Sequence, residues 1–164
     1  MSGIETNNID YSCLYDKNVY VEIINSLLTE YGEKRIFENK SFFAGELSSD
    51  GYLHLLFERP ERVRFELRVS DYDVQIQIDR APEVFNITTD EKYGDVFRNF
   101  ITDLFTSTIK VEYLGTYHTH IYFLDKSNKE IRHISYNEGI LGLLPIKTGK
   151  KEIIEYPPIL LDTE

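Results

Sequence analysis

The stretch VRFELRV at 63–69 alternates strictly. Val63, Phe65, Leu67 and Val69 fall on one side of an extended chain, and Arg64, Glu66 and Arg68 on the other. A few residues on, Val74, Ile76 and Ile78 alternate with Gln75, Gln77 and Asp79 in the same way. Successive side chains of a strand point to opposite faces, so this period of two marks strands with one dry and one wet face. Two such strands joined by SDYD form an antiparallel hairpin whose apolar face has to be buried under another layer. Whatever else the chain does, it must supply that cover.

Two segments have the pattern to do so. Over residues 16–32, Tyr20, Ile23, Ile24, Leu27, Leu28 and Tyr31 recur at three-and-four spacing, which predicts a helix with one apolar face. Asp16 or Asn18 is placed to cap its start, and Gly32 to end it in the left-handed conformation. Over 88–106, Tyr93, Val96, Phe97, Phe100, Ile101, Leu104 and Phe105 make a wider stripe. Thr88 with Glu91 three residues later reads as a capping box, Asp90 adds favourable charge near the start, and Gly94 slightly weakens the first turn. One-sided stripes of this kind dock helices on sheets.

The remaining strands follow from turn signals. Residues 35–47 form a first strand, SSDG turns into 52–58, and ERPER turns into 63–69; the last strand of this meander, 73–79, is ended by Pro82, and RAPEVFNIT carries the chain to the second helix. Strands return at 109–114, 117–124 and 130–136, with a further one at 151–156. The reading is α+β: two amphipathic helices packed on antiparallel meander sheets in the order α-ββββ-α-βββ(β). Residues 1–164 are expected to form one domain, with a polar leader over 1–15 and an extended tail over 157–164 that packs its leucines. Whether the two meanders make one sheet, two packed sheets or a half-barrel is open at this point.

Composition narrows the function classes. The net charge is −10, with 9 basic against 15 acidic residues over 1–81 and 9 against 13 over 82–164, so the acidity is spread over the chain. Such a field repels phosphate backbones and anionic membranes and attracts cationic partners. Nucleic acid and membrane are therefore not expected as partners. The longest apolar runs, such as GILGLLPI at 139–146, fall far short of the roughly 20 residues of a spanning helix. The opening MSGIETNNID has no early Lys or Arg and no apolar run, and is not expected to be a signal peptide. A single cysteine, Cys13, excludes an internal disulfide and fits a reducing compartment; the expected location is the cytoplasm.

Chemistry is concentrated in GTYHTHIYFLDKSNKEIRHISY, residues 115–136, which holds His118, His120 and His133. His118 and His120 share a strand face. A turn at Ser127-Asn128 sets residue 120 opposite 135 and 122 opposite 133, pairs Ile121 with Ile134 and Thr119 with Tyr136, and places His133 diagonal to His120. Three imidazoles on one face admit a metal site or a histidine acid–base pair. A zinc site, however, normally takes three or four ligands, and the nearest acids, Asp125 and Glu130, fall at the turn. HIS at 133–135 supplies one His-x-Ser motif of a two-histidine phosphoesterase, whereas HTH breaks the other. The expectation is histidines on a half-exposed sheet face, with no metal, no cofactor and no catalytic residue.

In an up-down sheet alternate turns emerge at the same end. SSDG and SDYD therefore gather Asp50, Asp71 and Asp73 around Tyr52 and Tyr72, a patch suited to a basic protein: charge sets on-rate and orientation, and tyrosine supplies buried area. Arg64 and Arg68, by contrast, read as a wet surface balanced by Glu66. In architecture and charge the chain resembles the bacterial toxin-immunity proteins of contact-dependent growth inhibition systems. That resemblance implies a non-enzymatic inhibitor, monomeric or weakly dimeric, that binds a cognate basic toxin domain such as a nuclease and occludes its active site. The chain also resembles type III secretion chaperones, which are small, acidic and α-βββ-α-ββ. A histidine-dependent hydrolase or phosphoesterase is the alternative from a different class.

Overall fold

The computed structural model describes residues 19–33, 43–47, 53–70, 73–88, 94–115, 118–137 and 151–160. In chain order these form α1 (Val19–Glu30), β1 (Phe43–Leu47), β2 (Leu53–Phe57), β3 (Phe65–Val69), β4 (Asp73–Ile78), β5 (Ala81–Thr88), α2 (Gly94–Thr106), β6 (Thr108–Leu114), β7 (His118–Leu124), β8 (Glu130–Asn137) and β9 (Lys151–Tyr156). The fold is α+β in the expected order, with one strand added to the first meander. There are two antiparallel sheets, β1-β2-β3-β4-β5 and β8-β7-β6-β9.

The added strand is β5, in the segment read as a connection. Pro82 does not end the sheet, because β5 is an edge strand and its register is irregular at that point. Ile78 pairs with Ala81 and Ile76 with Phe85, so β5 advances four residues where β4 advances two. A residue without an N–H is tolerated in such a bulged edge segment. Thr88 ends β5 opposite Asp73 instead of capping α2, which begins at Gly94; Asp90 and Glu91 lie outside the described residues, as do Asp16, Asn18 and Cys13.

The stripes bury as their spacing requires. In α1, Tyr20, Ile23, Ile24, Leu27 and Leu28 are buried, joined by Val21 and Asn25, and Gly32 (φ 74°) closes the helix with Glu33 N–H donating to the Leu28 carbonyl. In α2, Phe97, Phe100, Ile101, Leu104 and Phe105 are buried, but Val96, at the margin of the stripe, is 48% exposed. Helix α2 connects the layers: Phe105 meets Phe65 of β3 at 5.7 Å between ring centroids, Phe100 meets Phe123 of β7 at 5.7 Å, and Phe97 meets Tyr20 of α1 edge-on at 4.9 Å. The alternating Leu55, Phe57, Phe65, Leu67, Val69, Val74, Ile76 and Ile78 of the first sheet and Ile109, Val111, Ile121 and Phe123 of the second join the helices in one continuous core. The tail adds Ile159 and Leu160, and the Leu160 N–H donates to the carbonyl of Phe105 at 2.8 Å.

Candidate functional site

The second sheet turns one face to the helices and the other to solvent. Register fixes what shares the outer face. Leu114 pairs with His118 and Lys151, Glu112 with His120 and Ile153, and Lys110 with Tyr122 and Glu155. On the other side of β7, His118 pairs with Asn137, His120 with Ser135 and Tyr122 with His133. The hairpin register expected from the Ser127-Asn128 turn is the one observed. Asn128 takes the left-handed conformation there (φ 61°), and the Asp125 carboxylate accepts from Ser127 N–H, Ser127 O–H and Lys129 N–H.

The imidazoles are engaged with their neighbours. His120 Nδ1 lies 3.0 Å from His133 Nε2 and 3.1 Å from Ser135 Oγ; His118 Nδ1 lies 2.7 Å from Asn137 Oδ1. His133 stacks on Tyr122 with ring centroids 4.4 Å apart and planes 9° from parallel. A 3.0 Å contact between ring nitrogens holds one proton: one ring donates and the other accepts. Two imidazolium rings would both present N–H groups and repel. Burial and the neighbouring His133 push the His120 pKa down, keeping that ring neutral.

Beside the pair sits a carboxylate that inspection of the hairpin alone misses. Glu112 is only 8% exposed, although it belongs to the outer face. Its oxygens meet Lys110 Nζ at 2.8 Å and Lys151 Nζ at 3.2 Å. The hydrogen bond from Lys110 holds the Glu112 carboxyl below its usual range and raises Lys110 in return. Lys110 also lies 5.2 Å from the centre of the Tyr122 ring. The outward period-two positions of β6 announce Lys110 and Glu112; the pairing of β6 with β9, which brings Lys151, skips two strands and has no local signal. Among the described residues no group of three or more His, Cys, Asp or Glu is arranged to hold a metal ion. Leu114 (37% exposed) and Ile153 (50%) complete the face as its apolar margin.

Of the acidic patch expected at the end of the first sheet, only Asp73 lies among the described residues. Leu47, Leu53 and Val69 are neighbours across β1, β2 and β3, so the strand ends flanking both turns do lie side by side. Asp50, Tyr52, Asp71 and Tyr72 fall outside the described residues. Asp73 is half-buried and its carboxylate accepts from the Ser70 hydroxyl and from Gln75 Nε2 at 2.8 Å, the local role turns commonly give aspartate. Arg64 and Arg68 balance on Glu66, at 2.7 and 3.9 Å, with His54 at 3.3 Å from the same carboxylate. That face of the first sheet is a solvated charge network.

In comparisons with known proteins, no family model, no curated protein and no solved structure matches the chain. Among the described residues no helix is long and apolar enough to cross a membrane.

Proposed function

We propose that the chain is a binding protein of the immunity type, which captures a cognate basic toxin domain, a nuclease in the first instance, in the bacterial cytoplasm and covers its active site. The observation that carries this reading is the outer face of the second sheet. It offers a rigid stack of Tyr122 on His133 rimmed by exposed Leu114 and Ile153, on a chain of net charge −10. Interfaces draw their energy from such aromatic anchors with apolar surroundings, and the acidic field supplies attraction to a basic partner. The groups that a hydrolase would need as free acids and bases are already spent on one another: His120 on His133, His118 on Asn137, and Glu112 on two lysines. The face is built to recognise.

The deciding experiment is co-expression with the product of the gene next to the chain's own, which this reading requires to carry a basic toxin domain. The expected result is a one-to-one complex, loss of toxicity, and loss of toxin activity in a purified assay. Turnover of any substrate by the isolated chain would favour the histidine-dependent hydrolase instead. A stable dimer holding an extended segment of a secreted effector would favour the chaperone.

A further inference from the structure

A cleft of about 280 Å³ opens where the C-terminal ends of α1 and α2 meet the turn between β7 and β8. Its walls include Tyr31, Ser107, Asp125, Lys126, Ile131 and Leu160. It falls just below the roughly 300–1,000 Å³ of small-molecule sites, a size for one long side chain. Ile131 lines the cleft because of a β-bulge. Phe123 pairs with Arg132 and Leu124 with Glu130, so Ile131 is the extra residue, and a bulge redirects a side chain away from strict alternation.

Three polar atoms of the cleft have no partner among the described residues. Ser107 is 2% exposed, and its hydroxyl has no hydrogen-bond partner among the described residues. A buried hydroxyl without a partner is costly, so its presence on a cleft wall points to something that enters. The Tyr31 hydroxyl also has no partner among the described residues. Asp125 uses only Oδ1 for the turn, leaving Oδ2 unused among the described residues. Both helices point their negative dipole ends toward this region, and neither carries a basic residue in its last turn. Leu160 and Ile131 add apolar wall for an aliphatic stem.

We infer that this cleft receives an arginine side chain of the basic protein partner: the stem lies against Ile131 and Leu160, and the guanidinium faces Asp125, Ser107 and Tyr31. Separated acceptors match the forked donors of guanidinium better than the single point charge of an ammonium, and the Tyr31 ring can carry the cation on its face. An anion is opposed by Asp125 and by both helix ends. Lys126 at the rim opposes the arginine in part, which gives the test a second sign.

The inference rests on the proposed function for the source of the arginine, but the cleft can be tested without the toxin. Acetyl-arginine amide is titrated into the ¹⁵N-labelled full chain at low salt, with acetyl-norleucine amide as the uncharged control. Saturable shifts are expected at Ser107, Lys126, Ser127 and Ile131, with a dissociation constant in the millimolar range. D125N keeps the turn acceptor and is expected to weaken binding about tenfold, S107A several-fold, and K126Q to strengthen it about twofold. No saturable shift, equal binding of the norleucine control, or D125N and K126Q titrating like the parent chain would each overturn the cleft. D125N is then compared with the parent for toxin affinity: a loss of about tenfold or more is expected, and unchanged affinity would overturn the partner assignment while leaving the proposed function standing. Failure of toxin capture by the parent chain itself would remove that function instead.

Discussion

The guanidinium of Arg80 lies 4.0 Å above the ring of Tyr113, and the Arg80 backbone N–H donates to the Tyr113 hydroxyl at 3.2 Å. Arg80 belongs to the turn between β4 and β5, Tyr113 to β6, so this contact joins the first sheet to the second. Two further bonds lie beside it. Arg80 meets Glu152 of β9 at 2.7 Å, and the Tyr156 hydroxyl donates to Asp79 at 2.9 Å. Asp79 takes the left-handed conformation (φ 52°), which aspartate tolerates, and its N–H donates to the Arg64 carbonyl. Burial and the bond to Asp79 hold the Tyr156 phenol protonated well above the usual tyrosine range.

From this junction a stability difference follows. The Tyr156 hydroxyl is part-buried and bonded to a carboxylate, so Y156F is expected to cost about 1–2 kcal/mol in denaturant unfolding. The Arg80–Glu152 pair is more than half exposed, and E152Q is expected to cost no more than about 0.5 kcal/mol. A Y156F chain as stable as the parent would mean that the shared core alone holds the sheets together.

Helix α2 makes the sharper contrast. Phe105 is fully buried against Phe65 of the first sheet, and F105A is expected to cost about 3–5 kcal/mol. V96A, on the same helix but half-exposed, is expected to stay within about 0.5 kcal/mol of the parent. Thermal melts of the two variants check both values; equal losses would place Val96 in the core.

How much of this was legible in the sequence depends on the distance over which each feature is decided. The β7–β8 register was legible from Phe123 to Thr119 because a short turn near Ser127-Asn128 fixes those pairs to within the hairpin's length, whereas the bulge that sets Leu124 opposite Glu130 and leaves Ile131 extra was not. The buried stripes of both helices were legible because spacing alone places Leu27 in α1 and Leu104 in α2 on the face that meets the core; Val96 was misplaced because periodicity gives the direction of a stripe and not its width. Strand β5 was hidden by Pro82, whose meaning reverses between a central and an edge strand, and the sequence does not say which strand is the edge. The clamp of Lys110 and Lys151 on Glu112 depends on β9 pairing with β6 across two intervening strands, a choice that no local pattern records.

Stability is expected to depend on pH through His120 and Glu112. Both pKa values are depressed in the fold, so in each case the unfolded chain binds the proton more readily over the interval between the folded value and the ordinary one. Stability therefore rises with pH through those intervals and is lost as pH falls: first below the ordinary histidine value of 6.5, then below the ordinary glutamate value of 4.5. Denaturant midpoints measured from about pH 7.5 to about pH 4 should decline in two stages. H120Q is expected to remove the first stage and E112Q the second. A flat profile through the first interval would show that the surroundings of His120 do not favour its neutral form.

Partner binding offers the last test, because the two surfaces should act on different rate constants. Rim charges steer encounter, so D50N, D71N and D73N combined are expected to slow association with the basic toxin about tenfold at low ionic strength. The effect should shrink as salt rises and the Debye length falls to about 10 Å at 0.1 M. Asparagine at 73 retains an acceptor for Ser70, so the turn should survive the change. Y122A with I153A, by contrast, removes contact area from the open sheet face and is expected to speed dissociation about a hundredfold with little change in association. Surface plasmon resonance at about 50 and about 300 mM salt separates the two. If either variant changed neither rate, the surface concerned would lie outside the interface; a charge variant that altered only dissociation would make the acidic patch a contact surface instead of a steering one.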